Sequence, residues 1–145
     1  PARQLSNLFL DMVERDLPPL VQSFQFRRLA AGETLWQEGE NCPGIAFVVA
    51  GELEARKKNE FGSGQVVIGR IRPGSLAGEN ALFGDPEADC SLRARKDSAL
   101  LLLERESFER ICREYPDTAL KLLRSMMAML SLRMRHMSQR LTTLF

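Results

Sequence analysis

The sequence is poor in the residues that build metal centres and disulfide frameworks. Among its 145 residues are only three cysteines and one histidine. Cys42, Cys90 and Cys112 are an odd number at wide spacings, which fits neither a set of disulfides nor a C-x-x-C metal pair. With His136 as the only imidazole, zinc-protease sites and histidine-rich metal sites are excluded. This cysteine usage favours a reducing compartment, so we expect a cytoplasmic protein without a metal ion.

The chain also lacks a strong charge of either sign and any long hydrophobic run. Its 20 basic and 19 acidic side chains leave a formal net charge of +1, which does not indicate a nucleic-acid binder. The apolar runs 45–50 and 98–103 are far shorter than the roughly 20 residues that span a bilayer, so we expect no membrane span and no signal peptide. The composition, 44% hydrophobic and 27% charged, predicts one soluble globular domain.

No arrangement of residues predicts catalysis. His136 lies in a helical segment between Arg135 and Met137, where a histidine at the surface or in an interface is expected rather than a general base. Glu52 and Glu54 alternate along a predicted strand and are interpreted as a solvated face. We therefore expect a protein that is not an enzyme.

The middle of the chain has the pattern of a β-protein. Residues 1–23 predict an N-terminal helical segment, either a short amphipathic helix or a helical pair, in which Pro18-Pro19 ends an apolar pattern. This pattern consists of Leu5, Leu8, Phe9, Met12 and Val13. Residues 24–104 contain seven short β-rich runs separated by glycine-led turns, which predict a sandwich, jelly roll or barrel with Trp36 and Phe47 in its core. The runs are FQFRRL, ETLWQ, IAFVVA, ELEARK, QVVIGRI, CSLRAR and SALLLLE.

Residues 105–145 predict a short helix over 106–114 and then a long helix over 117–145, with Asp117 or Thr118 as its cap. The long helix carries an a/d heptad row of apolar residues, which favours a parallel homodimer. A neighbouring row of apolar residues could pack on the β-domain, and the alternative is that both rows serve one intramolecular core. The heptad row is Leu123, Met127, Leu130, Met134, Met137, Leu141 and Leu144, and the second row is Ala119, Leu122, Met126 and Met129.

A helical turn is inserted between two strands at residues 77–83, within a segment that spans 74–96. Gly78 heads this turn, and the free N–H groups of a helical N-terminus suit a phosphate or carboxylate. The order of elements, the G-E-N-A-L run from Gly78 to Leu82 and the S-L-R-A run from Ser91 to Ala94 together resemble the cyclic-nucleotide-binding domain. The resemblance covers about residues 8–145 and is closest to the sensor domains of bacterial regulators of the cAMP receptor protein type. It implies a β-roll flanked by helices, with a long dimerisation helix at its end.

The resemblance also implies a ligand site for cAMP, cGMP or another small anionic ligand. Gly78 and its neighbouring amides would face the cyclic phosphate, Glu79 would accept the ribose 2′-hydroxyl, and Ser138 would contact the purine. The candidate ligand-binding residues are Gly78, Glu79, Asn80, Ala81, Ala88, Cys90, Ser91 and Ser138.

One position departs from the family's pattern. Where the family has an arginine against the phosphate, this chain has Ala88. Strand alternation turns Arg93 and Arg95 to the opposite face, and Arg70 or Arg72 would have to swing in to replace the missing cation. We therefore expect no tight binding of cAMP or cGMP.

Three functions stay open from the sequence. The first is a regulatory ligand-sensing domain, and the second is a degenerate fold kept for dimerisation or protein interaction. The third is a sensor of a different ligand, although the residues do not favour haem or an iron–sulfur cluster. In the resembling regulators a helix-turn-helix module follows the long helix, whereas residues 1–145 predict no nucleic-acid contact of their own.

Overall fold

Two four-stranded antiparallel sheets form the middle of the molecule. The computed structural model describes Phe9 and residues 11–84 and 86–144, and within them the sheets have the strand orders β1-β8-β3-β6 and β2-β7-β4-β5. The strands are β1 (Phe24–Leu29), β2 (Thr34–Trp36), β3 (Gly44–Ala50), β4 (Leu53–Lys58), β5 (Gln65–Ile71), β6 (Leu76–Ala77), β7 (Ser91–Ala94) and β8 (Ser98–Glu104). All seven predicted strands are confirmed as elements of a jelly roll. The two-residue β6, which pairs with β3, is too short to give a periodic pattern.

Three helices and two 3₁₀ helices accompany the sheets. They are η1 (Glu14–Asp16), α1 (Leu17–Ser23), η2 (Glu79–Phe83), α2 (Arg105–Glu114) and α3 (Pro116–Leu144). The predicted mainly-β domain with flanking helices is therefore confirmed.

Two apolar clusters hold these elements together. Strand alternation sends Leu53, Leu92 and Leu100 into a core between the sheets, where each is fully buried. Phe47 belongs to a second cluster, in which the helices cover the outer face of the sheet containing β3 and β8. Trp36 is 4% exposed and Phe47 is 2% exposed, which confirms both as core residues.

The prediction that Pro18-Pro19 ends the N-terminal helix is wrong. Both prolines occupy the first turn of α1, which continues to Ser23. Proline is tolerated there because the first N–H groups of a helix have no partner within it. Of the earlier helical pattern, Leu5 and Leu8 lie outside the described residues, whereas Phe9, Met12 and Val13 lie within them.

The predicted start of the long helix also needs correction. α3 begins at Pro116, and Thr118 is buried within its first turn rather than capping it. The Thr118 hydroxyl donates a hydrogen bond to the carboxylate of Asp16, which is itself buried just before α1. Lys121 Nζ donates to the same carboxylate at 2.8 Å. The N-terminal segment is therefore attached to α3 by a buried polar link.

Glu52 and Glu54 do not form the predicted solvated face. They are 6% and 9% exposed, and arginines from the same strand and from other segments pair with them. Arg72 Nε and Arg95 Nη1 donate to Glu52 at 3.0 and 2.9 Å, and Arg56 Nη2 donates to Glu54 at 2.9 Å. The hydrogen bond from Arg72, supported by Arg95, lowers the pKa of Glu52 despite its burial.

The two apolar rows of α3 have different environments. The row of Ala119, Leu122, Met126 and Met129 is buried against the β-domain, as predicted. In the heptad row, Leu130 is half-buried, while Met127 and Met134 are 73% and 70% exposed. Leu123, Met137 and Leu141 are also exposed, and the side chain of Leu144 lies outside the description. Apart from Leu130, which packs against the second apolar cluster, the described members of the heptad row therefore do not serve the intramolecular core.

Of the helices in the described part of the chain, none combines the length and apolar character needed to cross a membrane.

Candidate functional site

A cavity of about 170 Å³ lies beside η2. Residues 77–81 and 87–90 of the 74–96 segment form one side of this cavity, and β4, β5 and β7 contribute its apolar floor. Its lining consists of Trp36, Cys42, Ala55, Ile68, Gly69, Ile71, Ala77, Gly78, Glu79, Asn80, Ala81, Glu87, Ala88, Asp89, Cys90, Leu92 and Arg133. The cavity therefore joins residues from the predicted insert with residues from the sheet and from α3.

Gly78 gives this side of the cavity its shape. Its φ of 86° is in the left-handed region, which side-chain-bearing residues rarely adopt. A Cβ at this position would lie 2.4 Å from the carbonyl oxygen of Gly44 and 2.8 Å from the Trp36 ring. The glycine thus lets the chain turn tightly over β3 into η2, and the predicted helical turn is confirmed.

The cavity wall formed by residues 79–89 is acidic. Glu79, Glu87 and Asp89 contribute three carboxylates to the lining, and Asn80 Nδ2 donates to Asp89 Oδ2 at 3.3 Å. Asp85, another acid of this segment, lies outside the described residues. Carboxylates accept hydrogen bonds and repel anions, so this wall favours hydroxyl or amine groups of a ligand over phosphate.

Two thiols also line the cavity. Burial raises the pKa of Cys42 and, together with the neighbouring Asp89 carboxylate, raises the pKa of Cys90 to about 11. Cys42 Sγ donates to the carbonyl oxygen of Gly44 at 3.4 Å. Both thiols therefore stay protonated near neutral pH, which makes them poor nucleophiles. No group of three histidine, cysteine or carboxylate side chains suited to a metal ion occurs in the described part of the chain.

Arg133 is the cavity residue that the sequence analysis missed. Its half-buried side chain extends from α3, and Nη1 donates to the carbonyl oxygen of Leu76 at 3.2 Å. It is the one cation among the described residues of the lining. Arg133 follows Met126 and Met129 at helical spacing, so the phase of the buried row could have revealed that it faces the β-domain.

The other arginines considered from the sequence lie elsewhere. Arg93 is exposed and Arg95 binds Glu52, which confirms that neither faces the cavity. Arg70 and Arg72 line a neighbouring groove instead, and Arg72 is held by Glu52. Neither of these two lines the cavity beside η2.

Most of the candidate ligand-binding residues meet in this cavity. Gly78, Glu79, Asn80, Ala81, Ala88 and Cys90 line it. Ser91 and Ser138 are not among the lining residues. Ser91 is buried and its hydroxyl accepts a hydrogen bond from the Glu38 N–H at 2.8 Å, whereas Ser138 is exposed on α3. Ligand contacts by any of the eight residues remain a prediction.

A jelly roll with a helical insert beside its cavity and a long C-terminal helix defines the class of β-roll regulatory domains. Residues 26–115 match the family described as "Cyclic nucleotide-binding domain". The chain belongs to this family, as its resemblance in sequence implied.

Individual relatives agree with this assignment. Lysophospholipase NTE1 of Eremothecium gossypii is 31% identical over 103 residues, which cover 71% of this chain and 7% of that protein. The cyclic AMP receptor protein of Thermus thermophilus is 25% identical over 111 residues, which cover 77% of this chain and 51% of that protein. A cyclic nucleotide-binding domain from Methylobacillus flagellatus has the same fold, with a TM-score of 0.83 at 17% identity over 99% of this chain and 83% of that one. The chain thus spans only a small part of the lysophospholipase and about half of the receptor protein.

Proposed function

We propose that this chain is a regulatory domain that senses a small molecule in the cavity beside η2 and transmits its presence through α3. The observation that carries the proposal is the position of Arg133, a residue of the long helix whose side chain lines the cavity. A ligand in the cavity would therefore contact the β-roll and the long helix at the same time. Such a contact gives the ligand a differential affinity for two positions of the helix, which any ligand-driven switch requires.

The hydrogen bond of Arg133 suggests how the signal is transmitted. The guanidinium is held by the carbonyl oxygen of Leu76, the residue that leads through Ala77 to Gly78. An anionic group of a ligand would compete for the guanidinium, because it adds a charge–charge attraction that the neutral Leu76 carbonyl does not supply. The guanidinium would then move away from the Leu76 carbonyl, and α3 would move relative to β6.

The same cavity is poorly suited to a cyclic nucleotide. The position that the family fills with a phosphate-binding arginine is Ala88, and three carboxylates stand close to it. Loss of a charge-assisted contact costs about 1.5–3 kcal/mol, which weakens binding roughly 10-fold to 100-fold. The cavity volume of about 170 Å³ is also below the roughly 300 Å³ at which pockets for drug-sized ligands begin. These features support a small ligand that offers hydrogen-bond donors to the carboxylates and one anionic group to Arg133.

Dimerisation is the second candidate function, and the exposed heptad row favours it. Met127, Met134 and the other members of that row form an apolar surface along α3. A second copy of α3 would bury it in a parallel coiled coil, and methionines would make this interface tolerant of shifts. Ligand sensing and dimerisation are compatible, because a ligand in the cavity would contact α3, the same helix that would form the dimer interface. We propose no catalytic role for the residues of the cavity or of the heptad row.

Calorimetric titration of the chain and of an Ala88→Arg variant with cAMP and cGMP tests the proposal. Ala88→Arg restores the cation, and we expect its affinity for at least one nucleotide to exceed that of the wild type by about 10-fold or more. Ala31→Arg, at an exposed position outside the cavity, is the matched control and should behave as the wild type. Circular dichroism verifies that each variant is folded.

Two results would contradict this proposal. Micromolar binding by the wild type would show that another cation holds the phosphate and that Ala88 does not limit affinity. A folded Ala88→Arg variant that binds neither cAMP nor cGMP would indicate that the cavity does not accept a nucleotide even with the cation restored. Dimerisation would then become the favoured function.

A further inference from the structure

A groove of about 340 Å³ lies between β5, the turn after it and α3. It is twice as large as the cavity beside η2, and Ile68, Gly69 and Arg133 separate the two. Its lining consists of Ile68, Gly69, Arg70, Arg72, Pro73, Gly74, Ser75, Met129, Leu132, Arg133, His136, Met137 and Arg140.

The groove is strongly basic. Four arginines and His136 line it, and the described lining includes no carboxylate. Arg72 is paired with Glu52, and Arg133 donates to a carbonyl oxygen, which leaves the guanidinium charge uncompensated. Arg70 and Arg140 form no ion pair with any described residue. The groove therefore has the opposite electrostatic character to the acidic wall of the cavity.

An unpaired hydroxyl lies in the same groove. Ser75 Oγ is buried and has no hydrogen-bond partner, and within the described residues it is the one buried side-chain oxygen or nitrogen in this state. The backbone of Ser75 is satisfied, because its N–H donates to Arg72 O and its carbonyl accepts from Val48 N–H, both at 3.0 Å. Buried hydroxyls without a partner are rare in folded proteins. The Ser75 hydroxyl therefore has a donor and an acceptor that no described protein group uses, in a residue that lines the groove.

The geometry points to a second ligand site in this groove, and we propose that it binds a small molecule carrying several phosphate groups. Guanidinium groups bind phosphate oxygens through paired hydrogen bonds, and the Ser75 hydroxyl can donate to one more oxygen. Arg133 and Arg140 are two helical turns apart, roughly 10 Å along the axis, so a row of phosphates matches them better than a single one. The apolar side chains of Met129 and Leu132, which are not part of the heptad row, offer a surface for a non-polar part of the ligand beside the phosphates.

Calorimetric titration of the chain with inorganic tripolyphosphate at physiological salt tests this site. We expect saturable binding of one tripolyphosphate per chain, and about 10-fold weaker binding after Arg70→Ala or Arg140→Ala. Ser75→Ala should weaken binding several-fold without lowering the thermal midpoint, since its hydroxyl has no partner to lose. Arg27→Ala removes an exposed arginine of β1, and as the matched control it should bind like the wild type.

Three results would overturn the proposal. They are the absence of saturable binding, an equal loss of affinity in the Arg27→Ala control, and tighter binding of a short DNA duplex than of tripolyphosphate. Arg70, Ser75 and Arg140 do not line the cavity beside η2, so these outcomes are independent of whether that cavity binds a ligand.

Discussion

Replacement of Asp16 by asparagine should detach the N-terminal segment from α3. Asp16 is 2% exposed, and three donors converge on its carboxylate. They are the Thr118 hydroxyl, Lys121 Nζ at 2.8 Å and the Val13 N–H at 2.9 Å. Asparagine is nearly the same size but carries no charge, and one of its two polar atoms is a donor. In either orientation of its amide the variant loses the negative charge that pairs with Lys121, and one of the two present acceptor atoms becomes a donor.

The expected loss of unfolding free energy follows from these contacts. A hydrogen bond to a charged group contributes about 1.5–3 kcal/mol, and breaking a fully buried ion pair costs about 3–5 kcal/mol. The side chain of Lys121 is 24% exposed, so water recovers part of its solvation when the partner is neutral. We therefore expect Asp16→Asn to lose about 2–4 kcal/mol at pH 7.

The loss should depend on pH in a definite direction. The hydrogen bonds from Lys121 and Thr118 lower the pKa of Asp16 well below its ordinary value. Its contribution to stability is therefore fully present above the unfolded pKa of about 3.9 and is lost as pH falls toward the folded pKa. Urea unfolding at several pH values measures this, with Glu60→Gln, at an exposed position, as the control. The reasoning is refuted if the variant loses less than about 1 kcal/mol at pH 7, or if its deficit does not shrink on acidification.

The remaining predictions concern α3 and the shape of the cavity. Met134→Glu should weaken the proposed dimer by about 10-fold or more in light scattering over a dilution series, because a charge would enter the apolar row, whereas Gln139→Glu should not. A monomeric wild type, or equal dissociation of the wild type and Met134→Glu, would exclude pairing through this row. Gly78→Ala should lower the unfolding free energy by about 2–4 kcal/mol, because its Cβ would meet the Gly44 carbonyl, whereas Gly64→Ala, with a similar φ and open space, should lose only about 1 kcal/mol. Equal losses in the two glycine variants would show that the steric contact does not matter.

Local patterns were sufficient to predict most elements of the fold. Alternating β-rich runs and glycine-led turns gave the seven longer strands, and helical spacing separated the two faces of α3. The Pro18-Pro19 error has a local cause, since the same pair can end one helix or begin the next and the sequence alone did not decide between them. Glu52 was misassigned because its burial depends on Arg72 and Arg95 from other segments, which strand alternation cannot reveal. Glu54 is held by Arg56 of the same strand, a pairing that alternation allows but that does not by itself indicate burial.

The candidate site was predictable only where it is local in sequence. Gly78 to Ala81, Ala88 and Cys90 lie in one short segment, so their meeting at one cavity follows from the turn between β6 and β7. Arg133 comes from a distant helix, and its position at the cavity depends on how α3 packs on the sheet. The apolar spacing from Met126 and Met129 contained that information, but an arginine at the end of a buried row was not recognised as part of it.

The fluorescence of Trp36 during titration with cAMP tests the central claim most directly. Trp36 is the only tryptophan of the chain and lines the cavity, so its emission reports on occupancy without a label. We expect no saturable change in this emission at cAMP concentrations up to about 100 µM, because Ala88 supplies no cation for the phosphate. A saturable change with a midpoint in the low micromolar range would contradict it.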